Sequence, residues 1–328
     1  MSGVEFRTVG SDDADSRLDR WFRRHYPNLS HGRLEKFLRT GQVRLDGRRA
    51  KASTRIAEGQ EIRVPPNVES VSKAPGPSGT GKPQSTRTTE QDAQQLRSRI
   101  LYRDAAVIAL NKPAGLAVQG GSGVCRHVDA MLDALQFDAV ERPRLAHRLD
   151  KDTSGVLLIG RTAKATAMIA EALRHRETRK TYWAVVVGVP KPREGTIDIP
   201  LAKQRRQGRE LSMESKTGKQ ARTGYKVVDA AGRRAAWVEL SPETGRTHQL
   251  RVHLAAISNP ILGDGKYGGK EAHIPGLSNQ LHLHARSIDV PMPEGKWISV
   301  SAPLPAHMTA TWEFLGFADG IEATTKGI

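Results

Sequence analysis

Cysteine is almost missing from this chain of 328 residues, with Cys125 its sole example. One thiol excludes an intramolecular disulfide and a thiolate zinc cluster within one chain, and Cys125 reads as a small buried hydrophobe. Long apolar runs are missing too. None approaches the roughly 18 residues of a transmembrane helix, so no membrane partner is expected. Acid is in deficit, with 35 Asp and Glu against 51 Lys and Arg for a net charge of +16, which directs the chain toward polyanions. Nucleic acid is the leading partner class. No basic start followed by an apolar stretch opens the chain, and Glu5, Asp12, Asp13 and Asp15 argue against an acid-poor transit peptide, so a cytoplasmic protein is expected. Hydrophobic residues make up 38% of the chain, enough for one large domain with a sizeable core plus a smaller unit.

From Ser16 the pattern turns helical, with Leu18, Trp21 and Phe22 at spacings of three and four and Ser16 placed to cap the first turn. Ser30 is placed to cap a second helix carrying Leu34, Phe37 and Leu38, which Gly41 ends. Val43 and Leu45 alternate with Arg44 before an Asp46-Gly47 turn, and Ile62 and Val64 alternate around Arg63, giving two short strands. The result is an αα-β module. Between Arg17 and Arg55 there are twelve Lys or Arg and three acids, Asp19, Glu35 and Asp46. A solvated helix face is the ordinary account of such charge, but the one-sided excess favours phosphate contact. The order RLDRWF followed by PNLSHGRLEKFLRTGQVRLDG resembles the S4 RNA-binding domain, so residues 1 to 66 are expected to form an S4-like unit. The resemblance implies that Arg33, Lys36 and Arg39 contact RNA.

Residues 67 to 95 are rich in Ser, Gly, Pro, Lys, Gln and Thr and are expected to form a flexible linker. Within them Gly76-Pro77-Ser78-Gly79-Thr80-Gly81-Lys82 matches most of a phosphate-binding loop. Pro83 stands where that loop needs a Ser or Thr hydroxyl for magnesium, and no buried strand precedes it, so the match is a low-complexity coincidence. Residues 96 to 328 alternate short apolar runs with turns, at Val107 to Leu110, Val156 to Ile159, Tyr182 to Val187, Ala236 to Leu240 and Ile298 to Val300. Helical stretches lie near Val128 to Leu135, Ala163 to Leu173 and Thr247 to Ile257. The order lacks regular βαβ repetition, so the fold class is α+β with a mixed, mainly antiparallel sheet.

The densest polar constellation is Ala146-His147-Arg148-Leu149-Asp150-Lys151-Asp152-Thr153-Ser154-Gly155, just before a buried strand. A loop feeding such a strand is a natural catalytic position. On composition alone, Asp150 and Asp152 fit a turn cap equally well. The segment HRLDKDTSG resembles the signature around the catalytic aspartate of RluA-type ribosomal pseudouridine synthases. Three further segments resemble that family in its order: ILYRDAAVIALNKPAGLAV from Ile100, RKTYWAVVVG from Arg179, and TGRTHQLRVHLAAISNPILGDGKYGG from Thr244. The resemblance spans about residues 98 to 305 and implies the pseudouridine synthase fold, ribosomal RNA as partner, a monomer and no cofactor or metal. Residue by residue, it implies that Asp150 is the catalytic carboxylate and that Arg148 enters the RNA where the uridine leaves. It also implies that Tyr182 packs on the target base and Arg251 pairs with the carboxylate. Gln119-Gly120-Gly121-Ser122-Gly123 is similar to the HGGSG segment of the RluC branch, which acts on several large-subunit sites, more than to the HPGAG-like form of the RluD branch.

The chemistry suits these residue types. Making pseudouridine breaks the N1 to C1′ bond, turns the uracil and joins C5 to C1′ without gain or loss of atoms. It needs a carboxylate held ionised by a cation, in a pocket that retains the detached base. Asp150 beside Arg251 meets the first need. Tyr182, otherwise a half-buried strand aromatic, offers a ring face and a hydroxyl for the C5 proton. Attack at C1′, attack at C6 and removal of the C2′ proton all fit an aspartate here. A uridine in folded RNA must first be extruded at a few kcal/mol, and Arg148 is placed to fill the gap. Arg246, at the start of the helix near Thr247, is placed for phosphate.

Two other readings compete. A metal hydrolase would use His248 and His253 or His282 and His284. Residues five apart on a helix differ by about 140°, unlike a zinc-binding i, i+4 pair, and no acid accompanies them at ligand spacing. A non-catalytic RNA-binding or ribosome-assembly protein would need only the basic module, and leaves the HRLD segment unused.

Overall fold

The computed structural model describes residues 4–27, 29, 31–66, 68, 89–120, 124, 126–175, 177–206 and 209–317. They form two compact units, Met1–Lys82 and Pro83–Ile328, each described by itself. Ser30, the Gly76–Lys82 stretch, Gly121–Gly123, Cys125 and the expected linker other than Val68 and residues 89–95 lie outside the described residues. Among the described residues no helix is long and apolar enough to cross a membrane.

The first unit contains β1 (Glu5–Thr8), α1 (Leu18–His25), α2 (His31–Thr40), β2 (Arg44–Leu45) and β3 (Glu61–Val64), with the strands in the order β1-β3-β2. The apolar stripes meet as their spacing predicts: Leu18, Trp21 and Phe22 of α1 pack with Leu34, Phe37 and Leu38 of α2 over Ile62 and Val64. Asp46 and Gly47 both take positive φ, 48° and 71°, making the two-residue hairpin between Leu45 and Arg48. Two details differ from the sequence reading. β1 pairs antiparallel with β3 although all four of its residues are exposed, so it carried no apolar signal. Arg17 rather than Ser16 is the N-cap of α1, because the Ser16 hydroxyl donates to the Asp13 carbonyl at 2.7 Å.

The second unit opens with α3 (Glu90–Arg97), which corrects the C-terminal end of the expected linker. Thr89 and Asp92 form a reciprocal capping box, and Ala93 and Leu96, one turn apart, are buried. There follow β4 (Ile100–Arg103), β5 (Val107–Lys112), a 3-10 helix at Val128–Leu135, β6 (Arg144–Leu145), β7 (Ser154–Gly160), α4 (Ala163–Ala172) and β8 (Arg179–Val187). Then come β9 (Glu194–Asp198), the separate hairpin β10 (Leu201–Arg206) and β11 (Arg209–Glu214), β12 (Arg222–Ala231), β13 (Ala235–Pro242) and α5 (Gln249–Ala256). β14 (Leu283–Pro291), β15 (Trp297–Ser301) and α6 (Ala306–Leu315) complete it.

Ten strands form one sheet in the order β4-β5-β7-β14-β8-β13-β12-β9, with β15 on β14 and β6 on β7. Among these described strands only β7 and β14 pair in parallel, so the sheet is mixed and mainly antiparallel, as the sequence predicts. β5 and β7 are apolar without a break because both their faces are covered. Ile108, Leu110, Leu157 and Ile159 pack under the 3-10 helix, while Val107, Ala109, Val156 and Leu158 pack with Ile169 of α4. β8 and β13 are likewise covered by Leu250 and Leu254 of α5 on one face and by Met308 and Trp312 of α6 on the other. Tyr182 packs against both the cluster under the 3-10 helix and the cluster under α5. The seam between those two clusters is where the polar loop arrives.

Candidate active site

The loop before β7 is fixed residue by residue. His147 accepts the Leu158 backbone N–H on Nε2 at 2.8 Å, tying the loop to β7. Burial first, and Lys180 second, pull its pKa down to about 4, so it stays neutral. Arg148 is exposed, Leu149 enters the core, and Asp150 turns toward a cavity. From beneath, the buried Lys112 ammonium donates to the carbonyls of Pro113, Leu116 and Lys151 at 2.8, 2.9 and 2.9 Å. Burial draws its pKa down to about 7, opposed by the charges of Asp152 and Asp150. The turn closes through the Thr153 N–H and the Asp150 carbonyl at 3.2 Å. Asp152, expected as its cap, is exposed instead, because the backbone itself closes the turn. At Gly155, φ is 109° and a Cβ would lie 2.2 Å from the Ala285 carbonyl oxygen, so the parallel contact of β7 with β14 requires glycine.

The opposite wall comes from α5 and the segment after it. Arg251 is buried and bidentate to Asp264, with Nε to Oδ2 at 2.8 Å and Nη2 to Oδ1 at 2.7 Å. This corrects the expected pairing with Asp150: no ion pair within 4.0 Å joins those two side chains among the described residues. Asp264 takes both arms of the fork because a loop returns it to the same buried spot. Burial works against the Arg251 charge, but Asp264, followed by Asp150, outweighs it and raises the pKa. Thus Arg251 acts on Asp150 through space. Among the described residues, the basic side chain within 4.0 Å of the Asp150 carboxylate is His248, with Nε2 at 3.8 Å from Oδ1.

Asp150, Tyr182 and Arg251 line one cavity of about 340 Å³, together with Arg148, Arg246 and His248. That volume suits a small-molecule or nucleobase site. The Tyr182 hydroxyl has no hydrogen-bond partner among the described residues, and burial, then the Asp150 charge, raises its pKa. It remains a protonated phenol facing the cavity. A second cavity of about 620 Å³ also reaches Asp150, His248 and Arg251 and is lined by Lys151, Lys266 and Asn279. From the first cavity a groove of about 1200 Å³ continues past Lys180 and Arg246 to Arg174, His175, Arg179 and Arg222. Arg246 lies ahead of α5, whose N-cap is His248, and its Nε donates to the Gln220 carbonyl at 3.1 Å.

The other three histidines considered for a metal, His253, His282 and His284, are engaged in packing. His253 contacts Thr223 and the Ile199 carbonyl, His284 contacts Ser154 and the Ala302 carbonyl, and His282 contacts Thr311 and the Gln280 carbonyl. Among the described residues no group of three or more His, Cys, Asp or Glu is arranged to hold a metal. In the other unit, Lys36 and Arg39 are exposed on α2 and the Arg33 guanidinium lies 5.4 Å from the Phe37 ring centre. Lys112, Asp264 and Tyr267 were not singled out from sequence, although they lie in the ALNKPAG and LGDGKYGG segments.

Residues 106–256 match the family model described as RNA pseudouridylate synthase. A ribosomal large subunit pseudouridine synthase C of Rickettsia felis is 35% identical over 302 residues, covering 90% of this chain and 95% of that protein. The protein of the same name from Vibrio cholerae is 32% identical over 310 residues, covering 93% and 95%. Among solved structures, human RNA pseudouridylate synthase domain containing 4 superposes with a TM-score of 0.57 at 31% identity, covering 68% of this chain and 95% of that one.

Proposed function

The chain belongs to the RNA pseudouridylate synthase family, and on that premise we propose that it isomerises uridines of large-subunit ribosomal RNA through the Asp150 carboxylate. The observation that carries this reading is the convergence of Asp150, Tyr182 and Arg251 on one cavity that opens into a basic groove. A large-subunit target is drawn from the names of the relatives, which also favour the RluC branch.

In this reading the groove tracks the RNA backbone, and Arg174, Arg179, Arg222 and Arg246 neutralise phosphates while Arg148 fills the place of the extruded uridine. Asp150 reacts with the flipped nucleotide as the N1 to C1′ bond breaks, and the buried Arg251 supports its charge. Tyr182 holds the detached ring while C5 joins C1′, and its hydroxyl serves the proton that leaves C5. Mapping pseudouridine in ribosomal RNA from cells with and without this protein tests the reading. Loss of specific sites is expected, and an identical map contradicts it.

Tyr182→Phe keeps the ring and removes the hydroxyl. RNA affinity is expected to hold while the single-turnover rate falls by about a hundredfold, the scale of general acid or base catalysis. A wild-type rate in this variant overturns the proton-transfer role.

Residues 1–66 are proposed as an S4-like RNA-binding module in which Arg33, Lys36 and Arg39 contact phosphate. Its core is its own, so its removal leaves the second unit's clusters intact. Deletion is expected to weaken RNA binding and flatten its salt dependence, because fewer counterions are released, with residual turnover on short RNA. An unchanged affinity and salt slope contradicts the role.

A further inference from the structure

His248 was one of the residues a metal site would have used, yet its surroundings point elsewhere. It holds a left-handed backbone at φ 56°, ψ 21°, which a non-glycine residue adopts at a cost of roughly 1–2 kcal/mol. Nδ1 lies 2.6 Å from the Tyr267 hydroxyl and 3.5 Å from the Lys266 ammonium. Lys266 is only a donor. Tyr267 already accepts the Ser212 N–H on its oxygen at 3.1 Å, and among the described residues its hydroxyl proton has no acceptor but Nδ1. Lys266 can only donate to Nδ1, and when the Tyr267 hydroxyl donates there too, Nδ1 is the unprotonated nitrogen. A neutral ring then carries its proton on Nε2, the nitrogen that faces Asp150 at 3.8 Å.

We propose that His248 is a positioning residue for Asp150, held by Tyr267 in the neutral tautomer whose Nε2–H is directed at the carboxylate. The inference rests on the reading of Asp150 as the reacting group. The present separation is a loose contact of the kind that tightens when substrate binds. An Nε2–H donor there fixes one carboxylate oxygen and leaves the other turned to the nucleotide. The charged groups facing the ring are Asp150, Arg251, Lys266 and Asp264. Burial first lowers its pKa, the two cations act in the same sense, and the two carboxylates oppose them, which keeps the ring neutral. Ser212 belongs to β11, so the chain of contacts runs from the separate hairpin through Tyr267 and His248 to Asp150.

Two measurements on the full chain test this. Side-chain 15N shifts, with His248 assigned by comparison with His248→Gln, read the tautomer without substrate. Protonated Nε2 is expected in the wild type at neutral pH and a tautomer mixture in Tyr267→Phe. Single-turnover rates on RNA should fall about tenfold in Tyr267→Phe, the scale of one hydrogen bond to a reacting group. The acid limb of that variant's pH profile should move upward, since the lost hydroxyl had favoured the neutral ring. His248→Gln, which keeps an N–H donor and cannot titrate, should recover most of the rate lost in His248→Leu and flatten that limb. A proton on Nδ1, or a Tyr267→Phe profile superimposed on the wild type, overturns the proposal. If the wild type makes no pseudouridine, the proposed function fails, and the spectrum alone then upholds or overturns the tautomer.

Discussion

Asp264→Ala is expected to cost the unit of residues 83–328 about 3–5 kcal/mol, the penalty for stranding one half of a buried ion pair. Arg251 and Asp264 are 7% and 1% exposed as side chains, so solvent cannot replace the missing carboxylate. The same carboxylate also accepts the backbone N–H groups of Lys266 and Tyr267 at 3.1 and 3.2 Å. Its loss therefore loosens the segment that carries the Tyr267 hydroxyl as well as the guanidinium. Replacing both partners, as Asp264→Ala with Arg251→Met, should destabilise less than the single change, because no orphan charge remains. Hydrogen exchange at the slowest amides of β8 and β14 reads this unit's opening apart from the other unit's. A loss under about 1 kcal/mol in the single variant would show that the pair contributes little.

Strands whose two faces are both covered were the most legible parts of the chain. Val107 to Leu110 and Val156 to Ile159 are continuous apolar runs, and β5 and β7 lie where they do. α4 and α5 likewise match the helical stretches near Ala163 and Thr247. β10 and β11 were illegible because their hairpin stands apart from the ten-stranded sheet and lacks the long apolar runs that mark β5 and β7. α3 was hidden by its polar composition, although Thr89 and Asp92 carry a capping signal that a search for apolar runs passes over.

At the site, the signature loop and the strand tyrosine were legible as residues, and the structure brings Asp150, Tyr182 and Arg251 to one cavity. Their partners were not. Asp264 lies thirteen residues beyond Arg251 across a loop, a separation with no helical or strand period, so the fork was assigned to Asp150 instead. The turn expected to need Asp152 closes on its own backbone. The tautomer of His248 depends on Tyr267 and Ser212, which are distant in sequence and become informative only once their hydrogen bonds are placed.

Asp150→Asn should remove product formation, by at least about a thousandfold, because an amide is isosteric but neither nucleophilic nor basic at neutral pH. RNA affinity should be unchanged or slightly improved, since a negative charge facing the polyanion is gone. Asp152→Asn is the matched control. It lies two residues away and exposed, and removes the same charge from the same loop, so its rate should stay within about threefold of the wild type. The most direct test is pseudouridine formed per enzyme in a single turnover for the two variants side by side, with mass spectrometry confirming that the substituted amide has not deamidated back to aspartate. No product from Asp150→Asn beside near-wild-type product from Asp152→Asn is predicted. Pseudouridine from an Asp150→Asn protein verified in this way would contradict the assignment of Asp150 as the reacting group.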